Sequence, residues 1–250
     1  MPEPQSLREF LEWEPVFPTA MLGKGLLYAG TKAIIYGKYK SMKSMLVQRL
    51  GLSLADGQPW LGIETPESGV SVLYLQLEYP HPLLRERIKI MTKGKWKTKK
   101  PIIFWTQHYL KLDTVKGQSL LEQQLLKYRP DVLIIDPVYK VVSGNISDNH
   151  AMSTLVDYLD ELIGQYNLTI VLVNHTVKPP TKEDKPTWGS DDMIGGGIFS
   201  WWGDSIIKVE RGDEALRIKF EVVRHASSEM KPVVVEIDKH LQFEPKTINL

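Results

Sequence analysis

Gly37-Lys-Tyr-Lys-Ser-Met-Lys43-Ser44 follows directly on the apolar stretch Ala33–Tyr36 and leads into a helix-like segment. A glycine, five residues and then Lys-Ser is the spacing of a loop that bends backbone N–H groups toward phosphate oxygens at a helix N-terminus. Its lysine would reach the β- and γ-phosphates and its hydroxyl a magnesium ion, so ATP and Mg²⁺ are the expected ligands. The candidate cradle is Gly37, Lys38, Tyr39, Lys40, Ser41, Met42, Lys43 and Ser44. Met42 stands where the pattern has its second glycine, the residue that lets backbone approach phosphate closely. A basic turn leading into an amphipathic helix is the plainer alternative for the same residues.

Three further apolar runs end in polar residues that suit such a loop. Asp136 closes Pro130-Asp-Val-Leu-Ile-Ile-Asp136, where a carboxylate can hold the metal and its water shell. Glu78 closes Ser71-Val-Leu-Tyr-Leu-Gln-Leu-Glu78 and could polarise an attacking water, which needs only hydrogen-bond reach. Asn174 and His175 follow the run Ile170–Val173, where a neutral polar pair can sense the γ-phosphate. Each alone also reads as an ordinary strand-end residue. Together they place four polar tips on one edge of one sheet.

The elements that must position these tips follow from the spacing of apolar residues. Ala33–Tyr36, Val70–Leu77, Ile102–Trp105, Val132–Ile135 and Thr169–Val173 read as strands buried on both faces. Lys43–Ala55, Pro82–Met91, Ser119–Tyr128 and Asn149–Tyr166 read as helices between them. This alternation predicts an α/β fold with a mainly parallel central sheet flanked by helices. Ile206–Glu210, Leu216–Val223 and Val233–Ile237 have no helix between them and predict an antiparallel C-terminal extension. Ser143–His150 and Lys178–Asp192, the latter followed by Gly195-Gly196-Gly197, read as loops. No repeat or strong linker interrupts the chain, so residues 1–250 are expected to form one domain, with an N-terminal segment over 1–25 and the core over 26–240.

Composition narrows the classes. Thirty-one basic against thirty acidic residues leave a net charge of +1, so no global basic excess points to nucleic acid, although a local patch can. The absence of cysteine excludes disulfides, zinc–thiolate centres, iron–sulfur clusters and thiol nucleophiles. No apolar run reaches the roughly eighteen residues of a membrane span, and the opening residues lack a secretory pattern. A cytoplasmic protein with no membrane partner is therefore expected.

The order of these motifs resembles the RecA-like P-loop NTPase core of RepA-type hexameric replicative helicases. That group is related to DnaB-like helicases and RecA-type recombinases. The resemblance is carried by GKYKSMKS, QPWLG, VLYLQLEYP, DVLIIDP, VLVNHTVKP, WGSDDM and VVRH, spread from about Leu26 to Ile237. It implies that Lys43 and Ser44 bind nucleotide and magnesium, that Glu78 is the catalytic base, that Asp136 holds the metal and that His175 senses phosphate. It further implies that Arg224 reaches the nucleotide of a neighbouring subunit. Two departures stand: Met42 in the loop, and Val222 where related helicases carry a lysine two residues before the arginine.

The same resemblance implies a homo-oligomer, a hexameric ring, with single-stranded DNA in its channel. Lys178, Lys182, Lys185 and Trp188 then form the candidate DNA contact, combining phosphate charge with base stacking. The lysine cluster Lys93–Lys100 is either a second basic contact or a solvated turn. The leading expectation is an ATP-driven helicase that relies on partners such as a primase. A recombination or annealing ATPase and a nucleotide-binding regulator of low turnover are the alternatives.

Overall fold

A computed structural model describes residues 3–95, 97–144, 149–176 and 192–246. The chain begins with a short helix α1 (Leu7–Glu12), capped by the Ser6 side chain in a reciprocal box with Glu9. Residues 3–20 are exposed throughout. A two-stranded hairpin follows, β1 (Ala20–Leu22) and β2 (Leu27–Tyr28). The alternating core then runs β3 (Lys32–Gly37), α2 (Lys43–Asp56), β4 (Val72–Gln76), α3 (His81–Met91), β5 (Ile102–Thr106), α4 (Val115–Tyr128) and β6 (Val132–Asp136). After a 3-10 turn at Val138–Val141 come α5 (Asn149–Tyr166), β7 (Thr169–His175), α6 (Gly196–Trp202), β8 (Ser205–Arg211), β9 (Leu216–Val223), β10 (Val233–Ile237) and β11 (Phe243–Pro245).

The nine-stranded sheet has the order β11-β10-β9-β8-β3-β7-β6-β4-β5. Strands β8, β3, β7, β6, β4 and β5 are parallel neighbours, while β9, β10 and β11 continue the sheet antiparallel. This is the fold the strand–helix alternation predicts. The strand β3, which feeds the glycine loop, lies between β7 and β8, so hydrogen bonds fix it on both sides.

Alternate residues of the central strands face opposite layers, as a period of two requires. Ile35, Tyr74, Ile134, Val171 and Val173 pack with Leu46, Val47, Leu50 and Leu54 of α2. Ile34, Leu73, Leu75, Ile135, Ile170 and Leu172 pack with Leu121 and Leu125 of α4, with Met152, Leu155 and Leu159 of α5, and with Phe199 and Trp202 of α6. Both faces are therefore covered, which is why these strands read as unbroken apolar runs.

Two local readings need correction. The Gly195-Gly196-Gly197 run, expected to follow on a loop, starts a helix: Gly195 is its left-handed N-cap and Gly196 its first residue. Arg224 lies just beyond β9, whose bounds are those expected. Glu78 lies two residues past β4 rather than at its last position. The antiparallel pairing of β8 and β9 also carries a bulge between Ile206 and Ile207, where Val222 and then Phe220 are the partners. Val138 and Leu172 are both fully buried, so truncating either leaves a cavity. Leu172→Ala should lower unfolding stability by about 2–5 kcal/mol, measured by urea denaturation.

Candidate nucleotide site

The loop after β3 is shaped by a glycine that cannot be replaced. A Cβ on Gly37 would lie 2.2 Å from the Val209 carbonyl oxygen, so β3 can leave β8 only at a residue without a side chain. Lys40 and Met42 both take left-handed backbone conformations, with φ of 61° and 65°. Met42 thus fills the second glycine's place in backbone shape as well as in sequence. Its half-buried side chain packs against the core cluster beneath α2. Helix α2 begins at Lys43 with no side-chain cap, which leaves its first N–H groups directed into the loop.

Lys43 is 4% exposed. Its Nζ donates to the carbonyls of Gly37 at 2.9 Å and Lys38 at 2.8 Å, and to Ser41 Oγ at 3.3 Å. Burial pushes the ammonium down to about 8, against the opposing pull of Asp136 and Glu78. Beside it, Ser44 Oγ donates to Asp136 Oδ1 at 3.0 Å. The hydroxyl of Tyr74 donates to Asp136 Oδ2 at 2.6 Å. Burial raises the Asp136 carboxyl to about 6, with the hydrogen bonds from Tyr74 and Ser44 working the other way.

The remaining tips converge on the same edge. Glu78 is held by its backbone, whose N–H donates to Gln76 Oε1 at 2.9 Å, and by its carboxylate, which accepts a hydrogen bond from the Tyr139 hydroxyl. The His175 ring stands edge-on to Tyr139, with centroids 5.4 Å apart, and 6.3 Å from the Tyr39 ring. Burial and the nearby Lys43 depress His175 to about 4, with Glu78 opposing, so the imidazole is neutral at pH 7. Asn174 is fully buried and donates to the Ile194 carbonyl at 2.8 Å, while its Oδ1 accepts from the His175 N–H.

The structure thus gathers Gly37–Ser44, Glu78, Asp136 and His175 at the carboxyl ends of β3, β4, β6 and β7. Arg224 is elsewhere. Val223 pairs with Ser205, which pairs with Ala33, whereas Gly37 pairs with Val209. Arg224, whose N–H donates to the Asp204 carbonyl, therefore stands at the opposite end of the strands, five residue steps or about 16 Å from the loop along the strand direction. There its guanidinium donates to the Trp201 carbonyl and lies 3.7 Å from Asp204. Lys178, Lys182, Lys185 and Trp188 lie outside the described residues. Lys93, Lys95, Lys99 and Lys100 are exposed, between α3 and β5.

The donor set suits a magnesium–nucleotide rather than a protein-only metal. One hydroxyl and one carboxylate sit side by side, and among the described residues no group of three acidic or histidine side chains could hold an ion alone. Mg²⁺ is usually held by one or two carboxylates together with substrate phosphates. Ser44 and Asp136 would supply the protein ligands; the uncapped α2 N-terminus and Lys43 would receive the phosphates. Sequence reasoning missed Tyr74, Gln76 and Tyr139. The first two share the alternation of Glu78 along β4, and Tyr139 follows Asp136 by three residues. The shared alternation is the signal for Tyr74 and Gln76, and Tyr139, in a 3-10 turn, lies outside it.

A family model described as an AAA domain matches residues 4–181. The DNA repair and recombination protein RadB of Methanosphaera stadtmanae is 31% identical over 103 residues, covering 38% of this chain and 41% of that protein. The chain thus aligns with less than half the length of this relative. Among solved structures, one described as an ATPase domain superposes with a TM-score of 0.65 at 10% identity, over 88% of this chain and 86% of that one. A RadB recombinase superposes with a TM-score of 0.60 at 15% identity, over 88% and 93%. The fold is the RecA-like P-loop fold.

The charges around His175 can be read in solution. Its imidazole, followed by NMR, should titrate near pH 4, and Lys43→Ala should move its midpoint upward by removing a cation. A midpoint near the ordinary histidine value of about 6.5 in the parent would contradict that burial and charge. Met42→Gly should be more stable than Met42→Ala by about 1 kcal/mol in urea denaturation, because both lose the packing contact but only glycine is free of left-handed strain.

Proposed function

We propose, since the chain belongs to the AAA-domain family and has the RecA-like P-loop fold, that it is an ATP-hydrolysing motor on single-stranded DNA, assembled as a hexameric ring of the replicative-helicase type. In this reading Lys43 and the loop from Gly37 hold the phosphates, and Ser44 and Asp136 hold magnesium. Held there, magnesium would supply positive charge to offset that of the phosphates. Glu78 is the general base, and His175, neutral and wedged between Tyr39 and Tyr139, senses the γ-phosphate.

The position of Arg224 carries the ring reading. A cation about 16 Å along the strands from its own loop stands too far off to complete its own site, which leaves a neighbour's as the site it can serve. A finger supplied in trans in this way is worth roughly 10³–10⁵ in rate in nucleotide hydrolases. The N-terminal arm supports association as well: Leu7, Phe10, Leu11, Trp13, Val16 and Phe17 are large, apolar and more than half exposed. Lys178, Lys182, Lys185 and Trp188 have the chemistry to grip single strands in a channel. Priming would fall to a partner such as a primase.

One observation favours a second reading. The aligned curated relative is a DNA repair and recombination protein, so the assembly could bind DNA with ATP and promote pairing without unwinding. Strand displacement by the purified protein, with ATP hydrolysis measured with and without single-stranded DNA, separates the two.

Lys43→Ala should abolish ATP binding in calorimetry; unchanged affinity would mean that the loop does not hold phosphate. Glu78→Gln should bind ATP normally while hydrolysis falls by about 10²-fold or more. Arg224→Ala should bind ATP and fold normally while hydrolysis collapses. Mixing it with Glu78→Gln protein should restore part of the rate, because some interfaces then pair an intact Arg224 with an intact Glu78. Normal turnover by the arginine variant, or a parent protein that stays monomeric with ATP and DNA, would defeat the ring-motor reading.

A further inference from the structure

Glu78 is an exposed, three-torsion carboxylate on a bend beyond the end of β4. A base in that position loses most of its effect unless something fixes its head group. Among the described residues, the side chain that donates to its carboxylate is the Tyr139 hydroxyl. Tyr139 itself is anchored from several directions. Its 3-10 turn inserts the fully buried Val138 and Val141 into the core. The Leu112 N–H donates to the Val141 carbonyl at 2.7 Å. Lys111 Nζ donates at 2.8 Å to both the Lys140 and the Val142 carbonyls. The Tyr139 ring then stands edge-on to His175 on one side, while the Lys140 ammonium lies 5.6 Å from its centre.

We propose that Tyr139 is a positioning residue for hydrolysis, its phenol holding one oxygen of the Glu78 carboxylate and its ring joining that carboxylate to His175. This rests on the reading of Glu78 as the base. Burial and the neighbouring Glu78 carboxylate push the phenol above its ordinary value, so it stays a donor throughout the working pH range. One Glu78 oxygen is then engaged and the other is left to accept from water. In the step it serves, the water oxygen bonds to the γ-phosphorus as one water proton passes to Glu78. The bond from that phosphorus to the β–γ bridging oxygen breaks, leaving ADP and inorganic phosphate, and Glu78 afterwards releases its proton to solvent. The tyrosine keeps its own proton. Its second contact gives the arrangement a direction: a shift of His175 on phosphate loss displaces the ring that holds the base.

The test is a double-mutant cycle on the full chain with ATP and single-stranded DNA. Tyr139→Phe keeps the ring against His175 and removes only the hydroxyl. It should lower kcat by about 10- to 100-fold, the scale on which a small misplacement acts, with KM and ATP affinity within about twofold of the parent. Glu78→Gln should be slow by itself, and adding Tyr139→Phe to it should slow it no further. Tyr139 replaced by 3-fluorotyrosine supplies a second readout in a protein of nearly unchanged shape: its ¹⁹F resonance should move on Glu78→Gln. Turnover equal to the parent in Tyr139→Phe, or losses that multiply in the double variant, would overturn the positioning role and leave the base intact. Parent-like turnover in Glu78→Gln would instead remove the base reading itself.

Discussion

A buried ammonium must be surrounded by oxygen, and in this protein that requirement organises the whole loop-bearing edge of the sheet. Lys43 is 4% exposed, at the first turn of α2. The loop supplies its nearest oxygens, curling the Gly37 and Lys38 carbonyls and the Ser41 hydroxyl onto Nζ. The neighbouring strands supply the balancing charge, since Asp136 and Glu78 are the two groups that oppose its desolvation. The same cation reaches His175 and helps keep it neutral. The loop's shape is therefore set by the cation that its oxygens enclose.

The residues around this cation are ordered by the sheet rather than by the loop. Asp136 is 1% exposed and accepts from a helix residue, Ser44, and a strand residue, Tyr74. It therefore ties α2 to β6 and β4 before any ligand arrives. Gln76 does the equivalent for Glu78 by accepting its N–H. Pairs of this kind hold polar tips within reach of one another at the ends of parallel strands, where α/β sheets place their ligands.

Much of this was legible in the sequence because two periods dominate it. Buried parallel strands show as apolar runs, and Ala33–Tyr36, Val132–Ile135 and Thr169–Val173 each lie inside an observed strand. The polar tips then follow by counting. Less legible were elements whose stability comes from contacts distant in sequence. The hairpin of β1 and β2 is only five residues of strand and leans on β3 and on Glu64, whose carbonyl accepts the Gly23 N–H. Three glycines in a row read as loop by propensity, yet Gly195 supplies the left-handed cap and Phe199 and Trp202 bury a short helix against Ile34. Tyr139 gave no periodic signal at all, because a 3-10 turn aims it from outside both alternations.

The bulge in β9 shows how one unpaired residue can redirect a side chain. Leu216, Ile218 and Phe220 face the α2 layer, so strict alternation would send Val222 and Arg224 to that same side. Instead, Ile206 pairs with Val222 while Ile207 pairs with Phe220, leaving Glu221 as the extra residue. A single extra residue reverses the parity of everything after it. Val222 accordingly packs in the opposite layer with α5 and α6, and Val223 returns to the α2 layer. Glu221 accepts the Tyr36 hydroxyl at 2.5 Å and lies 3.9 Å from Lys208. Arg224, next in line, meets the Trp201 carbonyl at the end of α6 rather than the helix that carries the loop. Removing the bulge, so that β9 ran on in strict alternation, would turn that guanidinium away from α6, so the extra residue in β9 sets the face on which the arginine stands.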